Sequence, residues 1–278
     1  MGLDIAKLGT VYDALTEEID GERAKAYAAA TNDDNPAYTS GKYAPPVFAV
    51  VPAWAAMGVA VGDVVPGEAL MMVVHGEQDM HFSSPLLPGT KLKTAAEAYS
   101  IRVGSSGTRF TVRTQSTDAD SGDLIVEQFI TLFLRGLSDG DSAGPEKPDH
   151  TFAEDARANA VGELSIHVDD DQTFRYRDAS GDQMPIHVDE NFAKQVGLPG
   201  IIAHGLCTMA MTSQAAIKLA ADGDPGRLTR LAVRFAKNVF PGNDVVTTVY
   251  RGAAGLFPFE AYSDGAQVIS NGLAEVSV

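Results

Sequence analysis

In the stretch "SGDQMPIHVDENFA" an aspartate, Asp182, is followed five positions later by His187, with Pro185 fixing the backbone between them. A carboxylate and an imidazole held on one rigid turn can grip the same water molecule. The imidazole, whose ordinary pKa lies near neutrality, accepts a proton, while the carboxylate orients the water or returns a proton. Further on, "AHGLCT" puts Gly205 at or near the start of an apolar helix. Unpaired N–H groups and the helix dipole at such a start favour developing negative charge. A carbonyl seated there is polarised as charge builds on its oxygen. The three residues together supply what the addition of water to an α,β-unsaturated carbonyl compound requires: a water activator, a proton donor and an oxyanion contact.

The neighbours of this set read differently. His204, beside Gly205, is first a packed, hydrogen-bonded histidine that fixes the loop and only second a contact for a ligand. Cys207 lies on the same apolar helix without the flanks of a Cys-His-Asn arrangement, and reads as a small buried hydrophobe rather than a nucleophile. His75, His81, His150 and His167 show neither close pairing nor cysteine partners, so no metal site is expected.

The elements that must position this set repeat along the chain. "DGERAKAYAAATNDDNPAY" and "DDDQTFRYRDASGDQMPIH" align at a constant offset of 149 residues, which matches Asp20 with Asp169, Asp33 with Asp182 and Pro36 with Pro185. Each opens on an aspartate in N-cap position, runs through helix-compatible sequence and ends in a polar turn closed by proline. "MHFSSPLLPGTKL" likewise matches "VRFAKNVFPGNDV". In the second half a long helix of small residues is expected over about Ile201 to Ala221; the first half has the proline-broken "YAPPVFAVVPAW" in its place. Segments with β-branched alternation follow in both halves: "LMMVVHGEQDMHF", "KLKTAAEAYSIRVG", "TRFTVRTQSTD" and "LIVEQFITLFLRG", then "RLTRLAVRFAKNVF", "DVVTTVYRGA", "LFPFEAYSD" and "QVISNGLAEVSV". One helix wrapped by an antiparallel sheet, twice over, is an α+β architecture. The Gly-, Asp- and Pro-rich segment between the halves reads as a linker, giving units over 1–138 and 161–278 joined by 139–160.

The repeat also serves as an internal control. Opposite His187 the first half carries Tyr38, and opposite Gly205 it carries Ala49, so only the aspartate survives there and one functional site per chain is expected.

A chain of 278 residues that is 45% hydrophobic can fill a core without help, and a single cysteine excludes an intramolecular disulfide, which suits a cytoplasmic setting. No basic region precedes an apolar run at the N-terminus and prolines interrupt the apolar stretches, so neither signal peptide nor membrane span is expected. A formal charge of −16 repels nucleic-acid phosphates. An anionic ligand must then be met by a local basic patch, for which Arg234 and Lys237 in "VRFAKNVFPG" are the candidates.

"SGDQMPIHVDENFA", "HGLCTMA" and "RFAKNVFPGN" together resemble the MaoC-like, (R)-specific enoyl-CoA hydratase family. Its approximate signature, Gly-Asp-x-Asn-Pro-(apolar)-His, is met at Gly181, Asp182, Pro185, Ile186 and His187, and departed from at Met184, where the family usually has asparagine. The resemblance implies a double hot-dog fold: a degenerate N-terminal unit that shapes a tunnel for the acyl chain and a catalytic C-terminal unit. It implies reversible hydration of a trans-2-enoyl-CoA to an (R)-3-hydroxyacyl-CoA, with Asp182 and His187 as the catalytic pair and the Gly205 amide as oxyanion contact. Met184, His204, Arg234 and Lys237 are the further substrate-binding candidates. The expected partner is acyl-CoA, coenzyme A being part of the substrate rather than a cofactor; a homodimer is compatible. Two alternatives stand beside this: a biosynthetic 3-hydroxyacyl-thioester dehydratase, and a non-catalytic acyl-CoA-binding subunit.

Overall fold

The alternating segments fold as strands, and two short strands that lacked a clear alternation signal join them. The computed structural model describes residues 2–277, apart from the side chains of residues 71 and 72. In the first half the strands are β1 (Leu15–Glu18), β2 (Val73–Phe82), β3 (Lys91–Gly104), β4 (Gly107–Asp118) and β5 (Leu124–Arg135). In the second they are β6 (Ala160–His167), β7 (Leu228–Phe235), β8 (Asp244–Tyr250), β9 (Leu256–Ser263) and β10 (Ala266–Val276). They form one antiparallel sheet in the order β1-β3-β4-β5-β2-β7-β10-β9-β8-β6. Read outward from the centre, the two halves have the same order, so β2 and β7 meet at a pseudo-twofold axis, paired from Glu77↔Arg234 to His81↔Arg230. This is the double hot-dog arrangement.

The helices lie against the concave face: α1 (Gly21–Ala30), α2 (Pro36–Thr39), α3 (Trp54–Val64), α4 (Gln172–Ser180), α5 (Glu190–Gln195) and α6 (Gly205–Ala220). The buried α6 is the central helix of the second unit, and one hydrophobic core spans both units around it. It begins at Gly205 rather than near Ile201, because the preceding backbone is tied elsewhere: the Ala203 N–H donates to the Val239 carbonyl at 2.8 Å, and the Ile202 carbonyl accepts from His187. In the first unit the prolines divide the corresponding stretch into a short 3-10 segment, Pro46–Val50, and α3, which covers a separate core cluster.

Across the axis α1 packs on α4. Tyr27 and Tyr176, one repeat apart, share a hydrogen bond of 2.8 Å between their hydroxyls. Asp20 caps α1, accepting from the Glu22 and Arg23 N–H groups. The expected counterpart Asp169 does not cap α4; Asp171 holds that position, while Asp169 is engaged by Arg175 at 2.5 Å and by Asn32 at 3.0 Å. An ion pair within the second unit and a hydrogen bond from Asn32 across the unit boundary thus take the place of local capping there.

The segment joining the units is docked over the convex face. Ala143 bridges to Ile101, Arg102 donates to the Ala143, Gly144 and Pro145 carbonyls, and Lys147 pairs with Glu77 at 2.7 Å. Beyond that, His150 contacts the Asn271 carbonyl at 2.7 Å and Arg157 pairs with Glu260. Beneath this strap Arg230 on β7 grips Asp79 on β2 through two bonds of 2.9 and 2.8 Å, both side chains buried. Against the burial that opposes it, His81 and Arg230 hold Asp79 down at about 2, and His150 and Lys147 do the same for Glu77, also at about 2.

These carboxylates ionise more readily folded than unfolded. Their contribution is therefore present above the usual carboxylate range and lost as pH falls through it toward about 2. We expect the urea midpoint to drop steeply over that interval, and Asp79→Ala, which leaves the Arg230 guanidinium with only Glu275 and the Asp149 carbonyl, to cost about 3 kcal/mol at neutral pH; equilibrium unfolding measures both.

Candidate active site

The turn that follows α4 carries the site. Gly181 closes the helix with φ +84°, a conformation that glycine adopts without strain, and turns the chain into Asp182. Asp182 then organises the turn, one carboxylate oxygen accepting the Met184 N–H at 3.1 Å, and Pro185 opens a short 3-10 segment, Pro185–His187. His187 is buried, and its Nδ1 lies 2.8 Å from the Ile202 carbonyl. A carbonyl can only accept, so Nδ1 carries the proton and Nε2 is the basic atom. Burial lowers the pKa of His187, partly offset by the Ile202 carbonyl and the charge of Asp182, which keeps the ring neutral at neutral pH.

His204 stacks on His187 with ring centroids 3.8 Å apart, and Tyr176 lies against its ring at 4.8 Å. Burial first, then the neighbouring His187, pushes His204 down to about 3. It is a neutral packing partner whose Nε2 lies 3.4 Å from the Asp182 carbonyl. Asp182, His187 and His204 bring one ligand-type atom each within 4.8 Å of one another. That grouping could hold a metal ion, which chain spacing did not suggest; an ion there would take the basic Nε2 of His187, because Nδ1 is committed to Ile202.

Gly205 is the first residue of α6, and His204 before it supplies no side-chain cap. A Cβ at Gly205 would lie 3.4 Å from the Phe235 ring, so the bare glycine keeps the space between the helix start and that ring open. Beyond Gly205, Leu206 forms a wall of a narrow pocket shared with Val50, Ala53, Trp54 and Met57 of the first unit. Phe235 was not among the candidates read from the chain, whereas Trp54 ends the proline-broken "YAPPVFAVVPAW" of the first unit, the unit expected to shape the acyl tunnel; the two are brought together by the β2–β7 pairing and by the packing of α6 on the 3-10 segment Pro46–Val50. Arg234 and Lys237 are exposed to either side of Phe235, outside the Asp182/His187/His204 grouping, and make no ion pair among the described residues. Cys207 is buried and its thiol is pushed up to about 12 by burial, which leaves it unreactive.

The first unit shows the same turn without the chemistry. Asp33 accepts the Asn35 N–H at 3.0 Å, as Asp182 accepts that of Met184, and burial raises Asp33 to about 6. Tyr38 stands where His187 stands, buried, with its ionisation pushed far above the phenol range by burial. It can accept no proton at neutral pH. Asn35 shows what the departure at Met184 removes: its side chain caps α2 by accepting from Ala37 at 2.9 Å and donates to the Gly223 carbonyl at 2.9 Å. At Met184 that cap is missing and the side chain is 46% exposed, while the Asp182 turn is retained.

Residues 152–255 match the MaoC like domain and residues 39–136 the MFE-2 hydratase 2 N-terminal domain. The chain is 34% identical over 241 residues to 3-hydroxyacyl-thioester dehydratase Y of Mycobacterium tuberculosis, covering 83% of this chain and 80% of that protein. The chain belongs to the MaoC-like hydratase and dehydratase family. A Dictyostelium discoideum member named "probable enoyl-CoA hydratase 2" is 28% identical over 207 residues, 73% of this chain and 70% of its own length. The crystal structure of a MaoC-like dehydratase from Phytophthora capsici superposes with a TM-score of 0.84 at 24% identity, over 98% and 97% of the two chains, which shows the shared fold.

Three expectations follow from the MaoC-like turn. Asp182→Asn and His187→Ala each lower turnover by at least about 10²-fold while folding is kept, and Tyr38→Phe leaves it near wild type; because His187 is needed neutral and its pKa is lowered, the acid limb of kcat/KM falls below the ordinary histidine range. Met184→Asn restores the cap seen at Asn35 and raises stability by about 1 kcal/mol in thermal or urea unfolding.

Proposed function

We propose that this MaoC-like chain adds water reversibly to a trans-2-enoyl-CoA, giving an (R)-3-hydroxyacyl-CoA. The observation that carries the reading is a neutral His187, its Nε2 basic, beside Asp182 and the uncapped start of α6, present once in a duplicated chain. On this reading Asp182 and His187 hold the water; His187 takes one proton as the oxygen bonds to C3, and a proton is returned to C2. The negative charge that gathers on the thioester oxygen in between is met by the Gly205 N–H and the dipole of α6. Every atom of water ends in the product, so no cofactor is required.

The remaining candidates take supporting roles. The exposed Arg234 and Lys237 are suited to the phosphates of coenzyme A, against the overall charge of −16. His204 and Met184 border the thioester, and the first unit (1–138), with Val50, Ala53, Trp54 and Met57, lines the path of the acyl chain. The complete set lies on one polypeptide, so the minimal active particle is one chain. The 3-hydroxyacyl-thioester dehydratase related at 34% identity favours the same site run in the direction of water loss; the equilibrium is shared.

The test is purified protein with crotonyl-CoA and a longer enoyl-CoA, followed by loss of enoyl-thioester absorbance and by mass spectrometry. Gain of one water with the thioester intact is expected. Release of free coenzyme A would make the chain a hydrolase, and tight binding without turnover a binding subunit. Ala53→Leu, which narrows the acyl path, is expected to lower kcat/KM on the longer substrate more than on crotonyl-CoA.

A further inference from the structure

Three buried polar atoms of one pocket, His75 Nε2, Gln78 Oε1 and Trp54 Nε1, have no hydrogen-bond partner among the described residues. Orphaned groups of this kind are costly and rare in folded proteins, and three around one pocket ask for a common partner. The pocket is no accident of the sheet. Along β2, Gln78 faces the interior while Glu77 and Asp79 reach the strap and Arg230 on the other side. Simple alternation would send His75 outward with Glu77; a β-bulge at Gly76, one extra residue between His75 and Glu77 opposite β5, turns it inward beside Gln78 instead.

The three atoms are complementary. The Gln78 amide nitrogen donates to Gln128 Oε1 at 2.9 Å, and the Gln128 nitrogen donates to the Ala49 carbonyl at 3.0 Å. A relay that ends on a backbone carbonyl fixes both amide orientations, so Gln78 presents an acceptor to the pocket. Trp54 Nε1–H can only donate. His75 is pushed down to about 4 by burial and is uncharged at neutral pH; the Glu77 backbone and the Gln78 side chain, which act in the opposite direction, lie outside hydrogen-bond geometry with its Nε2, so this atom is free to donate or accept. With no charge on the wall, a carboxylate is disfavoured; a ketone would satisfy the donor and leave Gln78 orphaned. A hydroxyl accepts from Trp54 and donates to Gln78 at once.

The rest of the wall, Val50, Met57, Ile130 and Leu206, is apolar and suits a carbon chain. The pocket also leads from the reaction site: Leu206 follows Gly205, and Phe235 lies 3.4 Å from a Cβ at Gly205 while its ring centroid is 5.0 Å from that of His75. Its free volume of about 10 Å³ admits one hydroxyl-sized group; the flexible Met57 and Leu206 side chains are what an incoming chain would displace. We infer that the pocket selects enoyl thioesters whose acyl chain carries a hydroxyl group beyond the double bond, with Trp54, Gln78 and His75 as its readers. The inference rests on the hydratase reading of the Asp182/His187 site.

The test compares kcat/KM of the full chain on ω-hydroxylated trans-2-enoyl-CoA thioesters of increasing length with that on their unsubstituted homologues, crotonyl-CoA serving as reference. At one chain length the hydroxylated substrate is expected to lead by at least about tenfold, mainly through KM. Trp54→Phe, a conservative change, and Gln78→Leu each bring that ratio toward one; Trp54→Phe keeps the test open should Gln78→Leu not fold. If crotonyl-CoA is hydrated but the hydroxylated series shows no preference at any length, or the preference survives both substitutions, the inference is overturned and the hydratase reading stands. If no enoyl thioester is turned over, both fall.

Discussion

Everything in this molecule hangs on the antiparallel pairing of β2 with β7. Each half alone would expose a strand edge, which folded proteins avoid. Joined, the two edges make one sheet, and the helices of both halves are pressed together over its concave face. Only then do Trp54, His75 and Gln78 of the first unit face Leu206 and Phe235 of the second. The pairing is reinforced on the convex side by Arg230 and Asp79, buried beneath the strap. The pocket and the strap are thus opposite faces of one junction.

The site depends on the opposite unit in a second way. Arg23, on α1, donates to the Ala179 and Ser180 carbonyls at 2.8 and 2.9 Å, the last carbonyls before Gly181 and Asp182. A guanidinium at a helix C-terminus satisfies carbonyls that have no partner within the helix and opposes the negative end of the dipole. The turn that carries Asp182 and His187 is held at one end by the unit that lacks their chemistry, and at the other by the Ile202 carbonyl.

Much of this was legible in the chain. The repeat offset of 149 reappears as the hydrogen bond between Tyr27 and Tyr176. The eight alternating segments became β2–β5 and β7–β10, because residues with one wet and one dry face advertise it by their period. The short edge strand β1 and the weakly patterned β6 were missed, since an edge strand is made by its partner more than by its own residues. The start of α6 was placed too early because Ile201 to Ala203 are apolar enough for a helix, and only the tertiary bonds of Ala203 and Ile202 rule it out. Asp182, His187 and Gly205 were readable as a set because two share a turn and the third opens a helix. The stacking of His204 on His187 and the cluster at Trp54, His75 and Gln78 were not, because no local rule links residues so far apart.

The clasp around the axis shows what joining the units made possible. Arg23 reaches the carbonyl of Ala179; its repeat partner Gln172 reaches the carbonyl of Ala30, the equivalent residue on the other side. In an assembly of two identical subunits any substitution appears on both sides of the axis at once, so a residue improved for one turn is imposed on the other. A single gene encoding both units lifts that restriction. Tyr27 and Tyr176 remained alike, since they meet each other, whereas arginine settled beneath the turn that bears Asp182 and glutamine beneath the turn that bears Asp33. Covalent linkage here converted an inherited symmetry into two positions free to diverge, and one half of the molecule became the other half's scaffold.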